Sequence, residues 1–401
     1  MVVYDRPVSL PRFIPSAQAV NHEAERYAER MHTMRVLHVG PVLGFGGAET
    51  VTVSLVREQR RTGIQADAFF FKDLGGSVQF DGVCDVWFHD QKPLSEVILA
   101  GNYDVVHMVA AAVPWSERSI RRSMFRGAVV ITHHGWFTSS MGSDFVTAVS
   151  RFAADEIQDR CSKPVYVVYN GLDLTRFCPG DRGAGERPIV GWVGRAADAQ
   201  KDACGLVAAA VSGLTDGYKI VAVDGSEENS QLKFWLPPDS EVLSTVPWRE
   251  MPDFYRRVAA SGGFLLCTSR IERCPMMILE AQACGCPVIA PAVGGIPEIV
   301  DHGVTGYVYD RSRGVEGIRE GMDWLYSGDR HERACKAASD YIAANFTAEK
   351  TNREYVDIYK QAVASHRPGF FNMAAQRAML PGVRTLRKLK RRGRRSEAAG
   401  D

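Results

Sequence analysis

Two acids, Glu272 and Glu280, stand with seven residues between them, and Pro275 lies between them where it suits the first residue of a helix. Glu272 is then expected in the loop before that helix and Glu280 on its second turn. A loop carboxylate can accept hydrogen bonds from sugar hydroxyls and a helix carboxylate from a ribose diol, while free N–H groups at the helix start can meet an anion. Two cations, Arg195 and Lys201, follow the apolar run that ends at Gly194 and precede a helical pattern. Paired cations at the carboxyl end of a strand suit a diphosphate. Gly44-Phe45-Gly46-Gly47-Ala48-Glu49 follows another apolar run, and its glycines let the backbone approach a ligand. It is not the dinucleotide fingerprint, because Glu49 stands where the third glycine of G-x-G-x-x-G belongs, so nicotinamide chemistry loses its main support.

Metal chemistry finds little support. No two aspartates stand two apart, so the D-x-D arrangement of a metal-diphosphate transferase is missing. The nine cysteines form no C-x-x-C pair; Cys274, Cys284 and Cys286 read as small buried thiols. No metal site and no cofactor are expected. His38, His107 and Met276-Met277 read as core or pocket wall, and Trp248, beside Pro247, as packing.

Loops that carry such residues need strands to end at them. Arg35–Val39, Asp67–Phe71, Asp104–Val109, Ala128–Thr132, Phe145–Val149 and Val165–Tyr169 read as buried parallel strands, alternating with helical patterns at Ala48–Arg61 and Trp115–Phe125. The segment Asn170–Pro188, with four glycines and two prolines, has linker composition. The alternation then restarts with strands at Ile189–Val193, Lys219–Val223, Glu241–Thr245, Phe264–Cys267 and Val288–Ala290, and helices near 203–212, 252–260 and 276–284. Helices over 315–327, 329–344 and 348–365 follow. The expected organisation is a loose extension over 1–33, one Rossmann-like domain over 34–180, a second over 181–345, a closing helix over 346–366 and a basic tail over 367–401. A ligand belongs in the cleft between the two domains.

Composition fits this plan. At 401 residues, with 45% hydrophobic and 24% charged side chains, the chain can fill two cores. The net charge of +1 argues against a nucleic-acid binder. It conceals an asymmetry: 384–395 hold eight basic residues and no acid, leaving a net −7 on the rest. Val383, Leu386 and Leu389 among these cations would place an apolar strip beside charge, so 383–395 are expected to touch an anionic membrane surface. No apolar run approaches the ~18 residues that span a bilayer, and 1–33 lack the apolar core of a signal peptide. A cytoplasmic location is expected, peripheral on the cytoplasmic membrane face if the tail binds.

The chain resembles the retaining nucleotide-sugar glycosyltransferases of family 4 over roughly residues 35–360. The matching elements occur in the family's order: Gly46-Gly47-Ala48-Glu49; Thr132-His133-His134; Val149-Ser150; Asn170-Gly171-Leu172-Asp173 with Phe177 and Pro179; Gly194-Arg195 with Lys201; Asp224-Gly225; Glu272 to Glu280; Gly285 to Ala290; and Gly294-Gly295-Ile296-Pro297-Glu298. The resemblance implies an α/β GT-B fold, two Rossmann-like doubly wound domains facing across a cleft. It implies a metal-independent, hexosyltransferase-like enzyme that transfers sugar from a nucleotide diphosphate to a saccharide or lipid-linked acceptor. By the same resemblance Arg195 and Lys201 hold the donor diphosphate, Glu280 the ribose, and Glu272 the transferred sugar. The Gly46-Gly47 loop approaches the donor phosphate and acceptor, Pro275 and Met276 complete the donor site, and His134 faces the reacting sugar, with His133 the less favoured alternative. One departure stands out: Arg273 occupies the position after the first glutamate where the family usually has glycine, and a cation there would alter the loop backbone or add an anion contact. Two rival readings are a GT-B nucleotide-sugar epimerase and a catalytically silent sugar-nucleotide-binding protein.

Overall fold

Runs rich in valine, isoleucine and alanine, bounded by turn residues, form two parallel sheets in a computed structural model. It describes residues 34–109, 120, 125–135, 143–181, 187–226, 230–244 and 246–366. The extension 1–33, the tail 367–401 and, apart from Ile120 and Phe125, the helix expected over 115–125 lie outside the described residues. The first sheet contains β1 (Arg35–Leu43), β2 (Gln65–Asp73), β3 (Val86–Phe88), β4 (Val105–Val109), β5 (Ala128–His133), β6 (Phe145–Ala148) and β7 (Val165–Val167) in the order β3-β2-β1-β4-β5-β6-β7. The second contains β8 (Ile189–Gly194), β9 (Lys219–Asp224), β10 (Glu241–Leu243), β11 (Phe264–Leu266), β12 (Val288–Pro291) and β13 (Gly306–Tyr309) in the order β10-β9-β8-β11-β12-β13. Every pairing is parallel. Each order reverses once, between β1 and β4 and between β8 and β11, and ligands of doubly wound sheets collect at such points.

The helices are α1 (Gly47–Arg61), α2 (Leu94–Gly101), α3 (Arg151–Gln158), α4 (Ala203–Val211), α5 (Leu232–Trp235), α6 (Met251–Ala260), α7 (Met276–Ala283), α8 (Ile296–Ile299), α9 (Gly314–Leu325), α10 (Arg330–Asn345) and α11 (Ala348–Ser365). They cover both faces of each sheet, which is why the central strands carry no polar alternation. Val53, Val56, Tyr355 and Tyr359 pack one face of the first sheet and Leu94, Val97 and Ile98 the other. On the second sheet Leu206, Ile318 and Leu325 lie on one face and Phe254, Tyr255, Ile278 and Leu279 on the other. The last of these clusters also takes in Val51, Val149, Ala153 and Leu172 from the first domain, so apolar packing is continuous across the seam.

Three expectations need correction. Pro275 does not open α7; it precedes the helix in extended conformation (φ −68°, ψ 116°) and Met276 is the first helical residue. The segment 170–188 is not a loose linker where it is described. Leu172 and Phe177 are buried, the Arg176 and Cys178 carbonyls accept from Arg256, and a Cβ on Gly171 would lie 2.4 Å from the Thr347 carbonyl oxygen. The strands expected to end at Tyr169 and Cys267 stop at Val167 and Leu266; the Tyr169 and Cys267 carbonyls accept instead from the side chains of Thr351 and Tyr309.

Candidate active site

The loops after β8 and β11 flank the reversal in the second sheet and carry the expected cations and Glu272, with Glu280 on the helix that follows. A Cβ on Gly194 would lie 2.7 Å from the Trp192 ring and 3.3 Å from Lys201 Cβ, so glycine is what lets the chain turn there toward Arg195. Asp224 at the end of β9 accepts from the backbone of Ala196 (2.8 Å) and Ser226 (2.9 Å), which fixes the loop that bears Arg195. Arg195 itself is 65% exposed and reaches Asp198 at 3.0 Å. Lys201, better enclosed, donates to Glu272 Oε1 at 2.5 Å, and Ser269 donates to the same oxygen at 2.9 Å. The two side chains assigned to different parts of the donor are thus in direct contact.

The loop carrying Glu272 is clasped from behind. Gly295 N–H donates to the Glu272 carbonyl at 2.8 Å, and a Cβ on Gly294 (φ 56°) would sit 1.8 Å from that same oxygen. Any other residue at 294 would displace the glutamate. Behind the loop α7 is buried on every side, with Glu280 on its second turn. Glu280 Oε2 accepts from Tyr255 at 2.8 Å, and burial raises its carboxyl to about 7, against the Tyr255 hydrogen bond and the nearby Arg176 charge. Arg176 lies 3.5 Å above the Trp248 ring, so that face of the indole packs on guanidinium.

From the first domain, Gly47 at the start of α1 meets the side chain of Met276; a Cβ there would approach Met276 Cγ to 3.1 Å. Glu49 points back over Gly46, and burial raises its carboxyl, opposed by a backbone hydrogen bond and by Arg195 across the cleft. His134 is half-buried, and burial followed by its neighbour His133 lowers it to about 4, which keeps it neutral. His133 turns elsewhere: its Nε2 lies 3.8 Å from Glu156 Oε2. His38 and His107 are core residues in a buried polar chain rather than site groups. His38 Nε2 meets Gln59 at 2.8 Å, and His107 is bonded to Tyr359 and Thr132 at 2.6 Å each.

Gly46-Gly47, Lys201, Glu272, Met276 and Glu280 therefore line adjoining parts of the facing domains, with Arg195 at the exposed margin. Several partners had no readable signal: Tyr255 under Glu280, Ser269 beside Glu272, Asp198 beside Arg195 and Glu156 opposite Arg273. Glu298 was visible only as part of a motif. It accepts from the backbone of Arg151 and Phe152 at 2.9 Å each and from Tyr169 at 2.6 Å, so it belongs to the seam.

Among known proteins, the family model described as Glycosyltransferase Family 4 matches residues 45–176 and that described as Glycosyl transferases group 1 matches 182–340. A GDP-mannose-dependent alpha-mannosyltransferase of Corynebacterium glutamicum is 28% identical over 59% of this chain and 60% of its own length. An N-acetyl-alpha-D-glucosaminyl L-malate synthase of Bacillus anthracis is 24% identical over 69% of this chain and 79% of its own. A D-inositol 3-phosphate glycosyltransferase of Salinispora tropica is 29% identical over 56% of this chain, which spans about half of that relative (52%). Among solved structures, Anabaena HepE in complex with UDP and glucose superposes with a TM-score of 0.69 at 17% identity, covering 82% of this chain and 100% of that one. A glycosyltransferase of Rickettsia africae gives 0.68 at 18% identity, covering 84% and 100%. The chain belongs to the GT-B glycosyltransferases of family 4 type.

Proposed function

We propose that this protein transfers a sugar from a nucleoside-diphosphate donor to a hydroxyl of a saccharide or lipid-linked acceptor, with retention of anomeric configuration and without a metal. The observation that carries the reading is the Lys201–Glu272 pair at 2.5 Å, held at the reversal of the second sheet a few residues before Met276, which meets the Gly47 turn of the first. In the reaction the C–O bond from the anomeric carbon to the donor phosphate breaks, and charge builds on the departing diphosphate. Lys201, Arg195 and backbone N–H groups meet that charge, a preorganised electrostatic device. Donor phosphate would take over Lys201 and release Glu272 to the sugar hydroxyls. A neutral His134 can hydrogen-bond the sugar without adding positive charge beside an oxocarbenium-like centre. The acceptor hydroxyl attacks from the face the diphosphate leaves, and its proton passes to that phosphate. The GDP-mannose and inositol phosphate specificities in the relatives' names support the class; they do not assign the donor.

A thermal-shift screen of UDP-, GDP- and ADP-sugars tests the reading, since a ligand at 100 times its Kd stabilises by ~2.7 kcal/mol. With a donor found, transfer is expected to survive excess chelator and to give the retained anomer by NMR. Lys201→Ala is expected to lower turnover on the order of 10²-fold. Near wild-type turnover would overturn the diphosphate assignment, chelator inhibition reversed by a divalent ion the metal claim, and an epimerised donor without transfer the reaction itself.

A further inference from the structure

Arg273 stands beside Glu272 in place of the glycine of the family pattern, and its backbone is unstrained: among the described residues only Asn102 and Asp202 are non-glycine residues with positive φ. The loop is therefore not bent to admit it. Instead the side chain leaves the second domain and crosses the cleft to α3 of the first. Arg273 Nε donates to Glu156 Oε2 at 2.7 Å and Nη2 donates to Oε1 at 2.9 Å, a two-point contact between planar groups. Arg273 is 21% and Glu156 25% exposed. The third guanidinium nitrogen faces Gly135, next to His134, where a Cβ would lie 3.6 Å from it. His133 converges on the same carboxylate at 3.8 Å.

We infer that Arg273 is a positioning residue: its paired hydrogen bonds to Glu156 latch the two domains and thereby set Glu272 against the first domain. The reading rests on the proposed transferase activity but adds a role that activity does not require. Residues 272 and 273 are consecutive, so one backbone segment carries a side chain in the donor site and the next side chain in the opposite domain. Glycine at 273 would remove this tie and leave the single hydrogen bond from Asn170 Nδ2 to the Cys274 carbonyl at 3.2 Å as the loop's polar link to the first domain among the described residues, while Gly294 and Gly295 hold it to its own. With arginine the pair exists only when the cleft is this narrow. An isolated, partly exposed ion pair adds little stability, but a bidentate arginine–carboxylate contact fixes distance and angle. Its consequence is geometric and belongs to the closed, reacting state.

The test is a double-mutant cycle on the full chain with Arg273→Gln, Glu156→Gln and the double variant, using UDP and GDP as binding probes and the donor identified in the screen for turnover. Because Lys201 and Glu280 do not contact the latch, calorimetric affinity for the bound nucleotide is expected to stay near wild type in all three. The kcat of each single variant is expected to fall on the order of tenfold, and the double variant to be no slower than the slower single. Arg273→Lys, which keeps charge but not the two-point geometry, is expected to recover part of the loss. Unchanged kcat, additive losses, or nucleotide affinity falling as far as kcat would overturn the assignment. Small-angle scattering keeps the latch separable from the activity. A larger maximum dimension for both single variants supports it, and an unchanged profile overturns it, even for a chain that turns over no nucleotide sugar.

Discussion

Glu280 is an acid whose surroundings pull in opposite directions. Burial removes the water that stabilises a carboxylate, while Tyr255 at 2.8 Å and the Arg176 charge favour ionisation; burial wins, and the carboxyl moves from 4.5 to about 7. A group whose folded pKa lies above its unfolded value contributes stability that is complete below pH 4.5 and is lost as pH rises through 7. Glu280→Gln removes that dependence. Relative to the glutamine variant, the wild-type chain is expected to lose about 3 kcal/mol between pH 4.5 and 8. Urea unfolding of both across that range checks it, and stability curves that run parallel would refute it. Spacing made Glu272, Glu280 and Lys201 legible because each sits in a short motif with local geometry. Tyr255 and Glu156 were not legible: they reach their partners from 25 and 117 residues away, and only the folded chain makes them neighbours.

The longer elements could be read from pattern because each carries its signal within its own residues. Central strands are unbroken apolar runs, and α1, α10 and α11 carry a helical stripe. Those that escaped are short and depend on neighbours: α2, α5 and α8 among the helices, and the strands β3, with three residues at a sheet edge, and β13, which opens on Gly306. Helix α3 is the clearest case. Ser150 caps it by accepting from Ala153 N–H at 3.1 Å, but two more N–H groups of its first turn are satisfied from the other domain, by both oxygens of Glu298. A carboxylate also complements the positive end of the helix. Glu298→Gln replaces one acceptor with an NH₂ that faces a donor, so it is expected to cost ~1–3 kcal/mol. The urea midpoint measures this; a change within experimental error would mean that water replaces the lost acceptor and that the seam does not depend on Glu298.

At the scale of the whole molecule the chain does not simply run through one domain and into the next. After α10 it returns: Leu172 N–H donates to the Phe346 carbonyl at 2.9 Å, Ala348 N–H donates to the Leu172 carbonyl at 2.8 Å, and α11 then packs on the first sheet. Its Tyr355 and Tyr359 join the buried chain through Thr132 and His107. The helix was legible from its stripe. Its docking was not, because the partners lie more than two hundred residues back. The chain beyond α11 leads toward the segment with eight basic residues, and the charge arithmetic sets a last expectation. No helix among the described residues is long and apolar enough to cross a membrane. Each lysine or arginine near an anionic bilayer contributes ~1 kcal/mol, and eight of them outweigh the repulsion of a body with net −7 only if the tail is the part that touches. Full-length protein is therefore expected to sediment with phosphatidylserine-containing vesicles at low salt and to be released as salt shortens the Debye length below ~10 Å. A chain truncated before Pro381 is expected to stay in the supernatant. Equal sedimentation of the two chains, or binding indifferent to salt, would remove the tail as an electrostatic anchor.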